Sequence, residues 1–140
     1  MGFKVINIFR ILIFALIAII AGNALAADDD EGPVEPGYVE LEPAFTLNYG
    51  DLRRTRYIQT TMTLRLTDSK TEPEVKVHND AIRHTIIMLF AEQSTETLKS
   101  TEGRDEFLAQ LTKELQNLMK QETGKPLIER VLLTTFIMQP

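Results

Sequence analysis

Between Arg56 and Thr67 the chain alternates more strictly than anywhere else along its length. Ile58, Thr60, Met62, Leu64 and Leu66 occupy one set of positions; Tyr57, Gln59, Thr61, Thr63 and Arg65 occupy the other. Side chains of a β-strand point alternately to opposite faces. A period of two rich in threonine therefore specifies a strand with one apolar face turned to a core and one polar face. That single face constrains the rest of the fold, because it has to be covered.

The segments able to cover it lie downstream. From Thr71 to Gln93, Val75, Ile82, Ile86, Leu89 and Phe90 form one helical stripe. Pro73 suits a first turn, and Glu72 and Glu74 complement the positive end of the helix dipole. One helix is predicted over 71–93. Thr95 to Ser100 is short and reads as a small strand. Thr101 is predicted to cap a second helix, Glu102 to about Thr123, with Phe107, Leu108, Leu111, Leu115, Leu118 and Met119 as its apolar face. Gly124 and Pro126 end it.

Leu127 to Met138 reads as a long terminal strand. Both of its alternating sets are largely apolar, so it is predicted to lie inside the sheet and to be covered on both sides. Upstream, Tyr38 to Tyr49 carries Pro43, which limits it to an edge strand or two short extended pieces. Gly50 and Asp51 make a turn. The order β-β-α-(β)-α-β predicts an α+β domain, a small mostly antiparallel sheet with two packed helices.

Three segments divide the 140 residues. In 1–26, Lys4 and Arg10 supply a basic leader before an apolar run from Ile11 to Ala21, and the small residues Ala24 to Ala27 follow. That is the pattern of a signal peptide cleaved after Ala26 or of a membrane anchor that is kept, with the remainder on the outer side of the membrane. Residues 27–37, with a run of four acids, two prolines and two glycines, read as an acidic flexible linker reaching roughly 20 Å. Residues 38–140 hold the folded domain. Beyond residue 26 there are 13 basic and 20 acidic residues, a net charge of −7. Such an acidic body is a poor match for nucleic acid. The chain has no cysteine, which excludes disulfides and cysteine-ligated zinc.

Candidate chemistry is sparse. His78 and His84 are six apart, a poor spacing for two metal ligands on one helix face. No Gly-x-Ser-x-Gly elbow, glycine-rich phosphate loop or dinucleotide fingerprint is present. The reading is therefore no enzyme, no cofactor, no metal and no small-molecule substrate. Arg53, Arg54 and Arg56 form the one basic cluster, a solvated turn or a contact for an acidic protein surface. Arg104 follows Gly103 at the start of a helix, where a cation is disfavoured, so it is predicted to be held by a nearby acid.

The ordered set of motifs carries more than any one residue. YVELEPAFTLN (Tyr38 to Asn48), RYIQ (Arg56 to Gln59), AIRHTIIMLF (Ala81 to Phe90), TEGRDEFL (Thr101 to Leu108) and VLLTTFIMQP (Val131 to Pro140) resemble the FliL family of flagellar basal body-associated proteins. The resemblance covers Tyr38 to Gln139. It implies a non-enzymatic, stomatin/prohibitin-like periplasmic domain at the inner membrane beside the flagellar motor. It also implies self-association into a ring around or beside an ion-driven stator of the MotA/MotB type, supporting torque, stator retention and motility. Family members keep a clear transmembrane helix; the shorter apolar run here resembles a divergent FliL-like paralogue. A soluble periplasmic adaptor or binding module without a flagellar role is the alternative. Arg53, Arg54, Tyr57, Arg65 and Arg83 are the candidate protein-contact residues.

Overall fold

β3 (Arg56–Leu66) is the spine of a four-stranded antiparallel sheet. Ile58, Thr60, Met62, Leu64 and Leu66 are all completely buried, as the alternation requires. β1 (Gly37–Glu40) and β2 (Phe45–Tyr49) pair with successive halves of one side of β3, and β4 (Ile128–Met138) runs along the other. The Tyr38–Tyr49 segment is thus two short strands, broken at Glu42 and Pro43, whose peptide bond is cis. The computed structural model describes residues 32–49 and 56–139. The predicted export segment, residues 27–31 of the acidic linker, the predicted turn at Gly50 and Asp51, and Arg53 and Arg54 lie outside the described residues.

β4 corrects the sequence reading. Among the described residues it pairs only with β3, at the border of the sheet, and one of its faces is open. The reason lies in its register. Thr61 pairs with Thr135 while Met62 pairs with Leu133, so Thr134 is an extra residue. A bulge of this kind shifts the phase of the alternation by one. Val131 and Leu133 face the core before the bulge, and Phe136 and Met138 face it afterwards. Two apolar alternating sets are what one buried face looks like when its phase changes midway.

The predicted helix over 71–93 is divided. A 3-10 turn (Ser69–Thr71) leads into α1 (Glu72–Val77), and α2 (Asn79–Ala91) follows across a joint at His78. Between Val75 and Ile82 the inward positions fall on His78 and Asn79, which bring no apolar side chain to hold a continuous helix against the sheet. At the joint the His78 N–H donates to the Val75 carbonyl, a three-residue span rather than four.

Thr95–Ser100 is also corrected. It forms α3 (Thr95–Lys99), not a strand, and Ser94 caps it by accepting from the Thr97 N–H at 3.1 Å. Ser100, not Thr101, caps α4 (Thr101–Thr123), accepting from the Gly103 N–H at 3.0 Å. Serine at both positions leaves one turn of helix between two caps, with no room for a strand. α4 ends as expected on Gly124, at φ 81°.

Phe107, Leu111, Leu115 and Met119 recur every four residues and bury one face of α4. Ile82, Ile86 and Phe90 do the same on α2. Phe90 and Phe107 meet edge to face with ring centroids 4.5 Å apart, joining the two helices over the sheet. Thr60 is the buried polar residue of the core, and its hydroxyl donates to the Thr135 carbonyl at 2.8 Å.

Deleting Thr134 should remove the bulge and leave Phe136 and Met138 on the core face, because Thr135 then follows Leu133 in unbroken alternation. The deletion should therefore cost less than about 1 kcal/mol in urea unfolding, against about 3–5 kcal/mol if Phe136 and Met138 were withdrawn from the core. Thr134→Val should stay within about 0.5 kcal/mol. A loss of about 3 kcal/mol or more on deletion would refute the phase change.

Candidate interaction surface

The helices cover only the even side of β3. The other side presents Tyr57, Gln59, Thr61, Thr63 and Arg65, flanked in register by Tyr38 and Glu40 of β1, Thr46 and Asn48 of β2, and Leu132, Thr135 and Ile137 of β4. Among the described residues no helix packs on it. Tyr38, Tyr57 and Ile137 are 52%, 42% and 51% exposed, the large apolar groups of an otherwise threonine-rich face. The bulge adds Thr134, whose hydroxyl lies 2.7 Å from that of Thr61.

The candidate contact residues have different fates. Tyr57 is exposed on this face. Arg65 stands on the same face, half-buried, with Nε 3.1 Å from Glu129 Oε2. Distance favours an ion pair, although the angle makes no hydrogen bond at Nε. Both side chains keep about a third of their surface in water, so the pair fixes where Arg65 points more than it stabilises the fold. Arg83 is elsewhere. It donates to the Pro43 carbonyl at 2.9 Å and its guanidinium lies 4.1 Å over the Phe45 ring. It clasps the corner between β1 and β2. Tyr57 and Arg65 share a surface, and Arg83 does not join them.

Arg104 corrects another expectation. No acid holds it among the described residues; it donates to the carbonyls of Leu98 and Lys99 at 3.0 and 3.1 Å and sits 5.3 Å over the Phe136 ring. The last carbonyls of α3 have no helical partner, and an arginine one turn into the next helix reaches back to them. Gly103 makes that return tight: a Cβ there would lie 2.4 Å from the Thr97 carbonyl oxygen. Glu102-Gly103-Arg104 is therefore a joint between two helices. His78 is half-buried with Nδ1 3.9 Å from Glu122 Oε2, and His84 is exposed. Among the described residues no three His, Asp or Glu side chains converge on a metal-sized site.

Among the described residues, grooves accompany the sheet. One of about 520 Å³ is lined by Glu40 to Ala44 and Thr61. Another, about 280 Å³, lies between β2 and α2 and is lined by Thr46, Leu47, Asn48, Ile87 and Ala91. Sequence reasoning missed Tyr38, Ile137 and Glu129 as parts of one face. The doubled threonine within an apolar strand was the readable signal of the bulge that places Ile137 there.

The fold and this surface define a small α+β domain with one helix-packed and one open sheet face. Comparison with known proteins places it. The family model described as flagellar basal body-associated protein FliL matches residues 38–139, and the chain belongs to the FliL family. It is similar to the flagellar protein FliL of Escherichia coli K12 and to that of Shigella flexneri, each 29% identical over 120 residues, 84% of this chain and 76% of the relative. It is also similar to the flagellar protein FliL of Aquifex aeolicus, 26% identical over 108 residues, 76% of this chain and 65% of the relative. The protein is thus associated with the flagellar basal body.

Two kinds of residue should separate by stability. Arg83→Ala loses a hydrogen bond and a cation–π contact and should cost about 1–2 kcal/mol. Gly103→Ala should cost about 1–3 kcal/mol, because backbone of α3 has to move. Tyr57→Ala should stay within about 0.5 kcal/mol. Thermal unfolding of the three variants checks the division; an Arg83→Ala protein as stable as its parent would remove the clasp.

Proposed function

We propose that this protein supports the flagellar motor without catalysing a reaction, by self-associating around or beside the ion-driven stator. The observation that carries the reading is the family match over residues 38–139, joined to an open sheet face that bears Tyr38, Tyr57, Arg65 and Ile137. A geometric role suits such a build. A rigid helix-backed sheet offers fixed contacts, and identical copies joined head to tail close into a ring when the rotation between them closes.

In this reading the domain is of the stomatin/prohibitin type and stands on the periplasmic side of the inner membrane. Residues 1–26 would export it as a cleaved signal or hold it as an anchor, and 27–37 would be its tether. Among the described residues no helix is long and apolar enough to cross a membrane. Arg53 and Arg54, which precede β3 in the sequence, are proposed as contacts for an acidic surface of the stator.

The test separates the open face from the helix side. Full-length variants Tyr57→Glu with Ile137→Glu, and separately Val77→Glu, are expressed at parental level in a strain lacking the chromosomal copy. Val77 is 80% exposed on α1, away from the sheet face. The first should reduce swimming in soft agar and loosen co-purification with stator subunits; Val77→Glu should do neither. Normal swimming of the null strain, or a protein that never co-purifies with basal body or stator, would favour a soluble adaptor instead.

A further inference from the structure

Self-association needs surfaces, and the sheet has two unguarded ones. Strand edges carry unpaired N–H and C=O groups, and soluble proteins blunt them with charge, proline or a covering element. The edge of β1 is guarded by Glu40, with Glu42 and Pro43 following it. The first half of β4 carries Glu129 and Arg130, and α4 closes its outer edge. Gln116 Nε2 donates to the Ile128 carbonyl at 2.9 Å, and the Val131 N–H donates to the Thr112 hydroxyl at 3.1 Å.

Beyond that point the guarding stops. From Leu132 to Gln139 there is neither charge nor proline. The Gln139 N–H donates to the Tyr57 carbonyl at 2.9 Å, and backbone groups alternate in direction along a strand. Thr135 and Ile137 therefore bond to β3, while Phe136 and Met138 turn their N–H and C=O groups outward. Among the described residues nothing pairs with them.

The opposite border has a matching gap. Phe45 to Tyr49 is also uncharged. The Leu41 N–H donates to the Met62 carbonyl, so even residues of β3 bond toward β1 and β2, and with them Phe45 and Leu47. Thr46 and Asn48 turn outward. Ile87 and Ala91 form the wall of the groove beside this edge, Ile87 42% exposed and its neighbour Met88 50% exposed. β2 and β4 are both antiparallel to β3, so they run in the same direction.

We infer that the open half of β4 in one copy pairs, parallel, with β2 of a second copy, so that the sheet continues from copy to copy. This rests on the self-association proposed above and names its contact. Three features favour a second copy as the occupant. Both gaps lie on opposite borders of one sheet, which is the arrangement a head-to-tail contact requires. Their lengths match, five residues in β2 and six from Leu133 to Met138. Beyond residue 26 the chain carries −7, so copies repel over much of their surface and approach most readily where charge is absent.

Size sets the strength of the contact. A five-residue edge is about 17 Å long and about 10 Å deep across the sheet and its helices. That is far below the ~800 Å² per partner of a stable interface, even with Ile87 and Met88 added at the rim. One contact alone is weak. A set in which every copy uses both borders, held at high local concentration, is stable.

The cysteine-free chain makes the test direct. Full-length protein carrying Asn48→Cys together with Ile137→Cys, or Thr46→Cys together with Thr135→Cys, is treated in membranes with a short bis-maleimide. All four positions are exposed on the open face, so the variants should fold as the parent does. The expected result is a ladder of multimers for at least one double variant. Single variants alone should give none, and two co-expressed singles should give dimers only. Blue native electrophoresis of the same untreated membranes separates the outcomes. Multimers there with no ladder in either double variant would overturn the edge pairing and leave self-association standing. Monomers throughout would overturn both.

Discussion

One interaction holds the rest in place: the burial of the even face of β3 beneath α2 and α4. Ile58, Thr60, Met62, Leu64 and Leu66 contribute an unbroken buried row, and every other strand and each long helix contacts it or its neighbours. Because the hydrophobic effect rewards removal of area from water without regard to direction, one covered face suffices for a body of this size. The second face is then free to carry threonine, tyrosine and arginine. The open surface is a consequence of how the core is built, and the two roles do not compete for the same residues.

The parts legible in the sequence were those with a single unbroken period. The alternation of β3, the four-residue recurrence on α4 and the glycine stop after Thr123 each state one periodicity and one direction. The unreadable parts were interruptions. Thr134 changes the phase of β4 without any proline or glycine to mark it, so two half-strands with one buried face looked like one strand with two. His78 breaks a helix by bringing no apolar side chain, which is weaker punctuation than a breaking residue. Ser94 and Ser100 bracket a helix of five residues, too short for any stripe to announce it. In each case tertiary contact, not local propensity, decided the outcome.

The same division applies to the arginines. Arg65, Arg83 and Arg104 are alike in composition and in exposure, yet each is used differently. Arg65 aligns with Glu129 across two strands, Arg83 clasps a strand corner over Phe45, and Arg104 ties the end of α3 to α4 and to Phe136. No spacing rule distinguishes them, because their partners are 64, 40 or 38, and 6 or 32 residues away along the chain. Within a family of flagellar basal body-associated proteins, the Glu-Gly-Arg and Ile-Arg motifs acquire a physical reading: they set the angles between elements. The contacts proposed to join this protein to others fall instead on the open face and its borders.

Residue-by-residue amide hydrogen exchange tests the central claim most directly, because it reads which backbone groups the fold leaves open. In dilute protein the amides of Thr135 and Ile137 should exchange slowly, while those of Phe136, Met138, Thr46 and Asn48 exchange at least a hundredfold faster. Uniform protection along the whole of β4 and β2 in the isolated protein would contradict the account, since it would mean that the borders of the sheet are already covered.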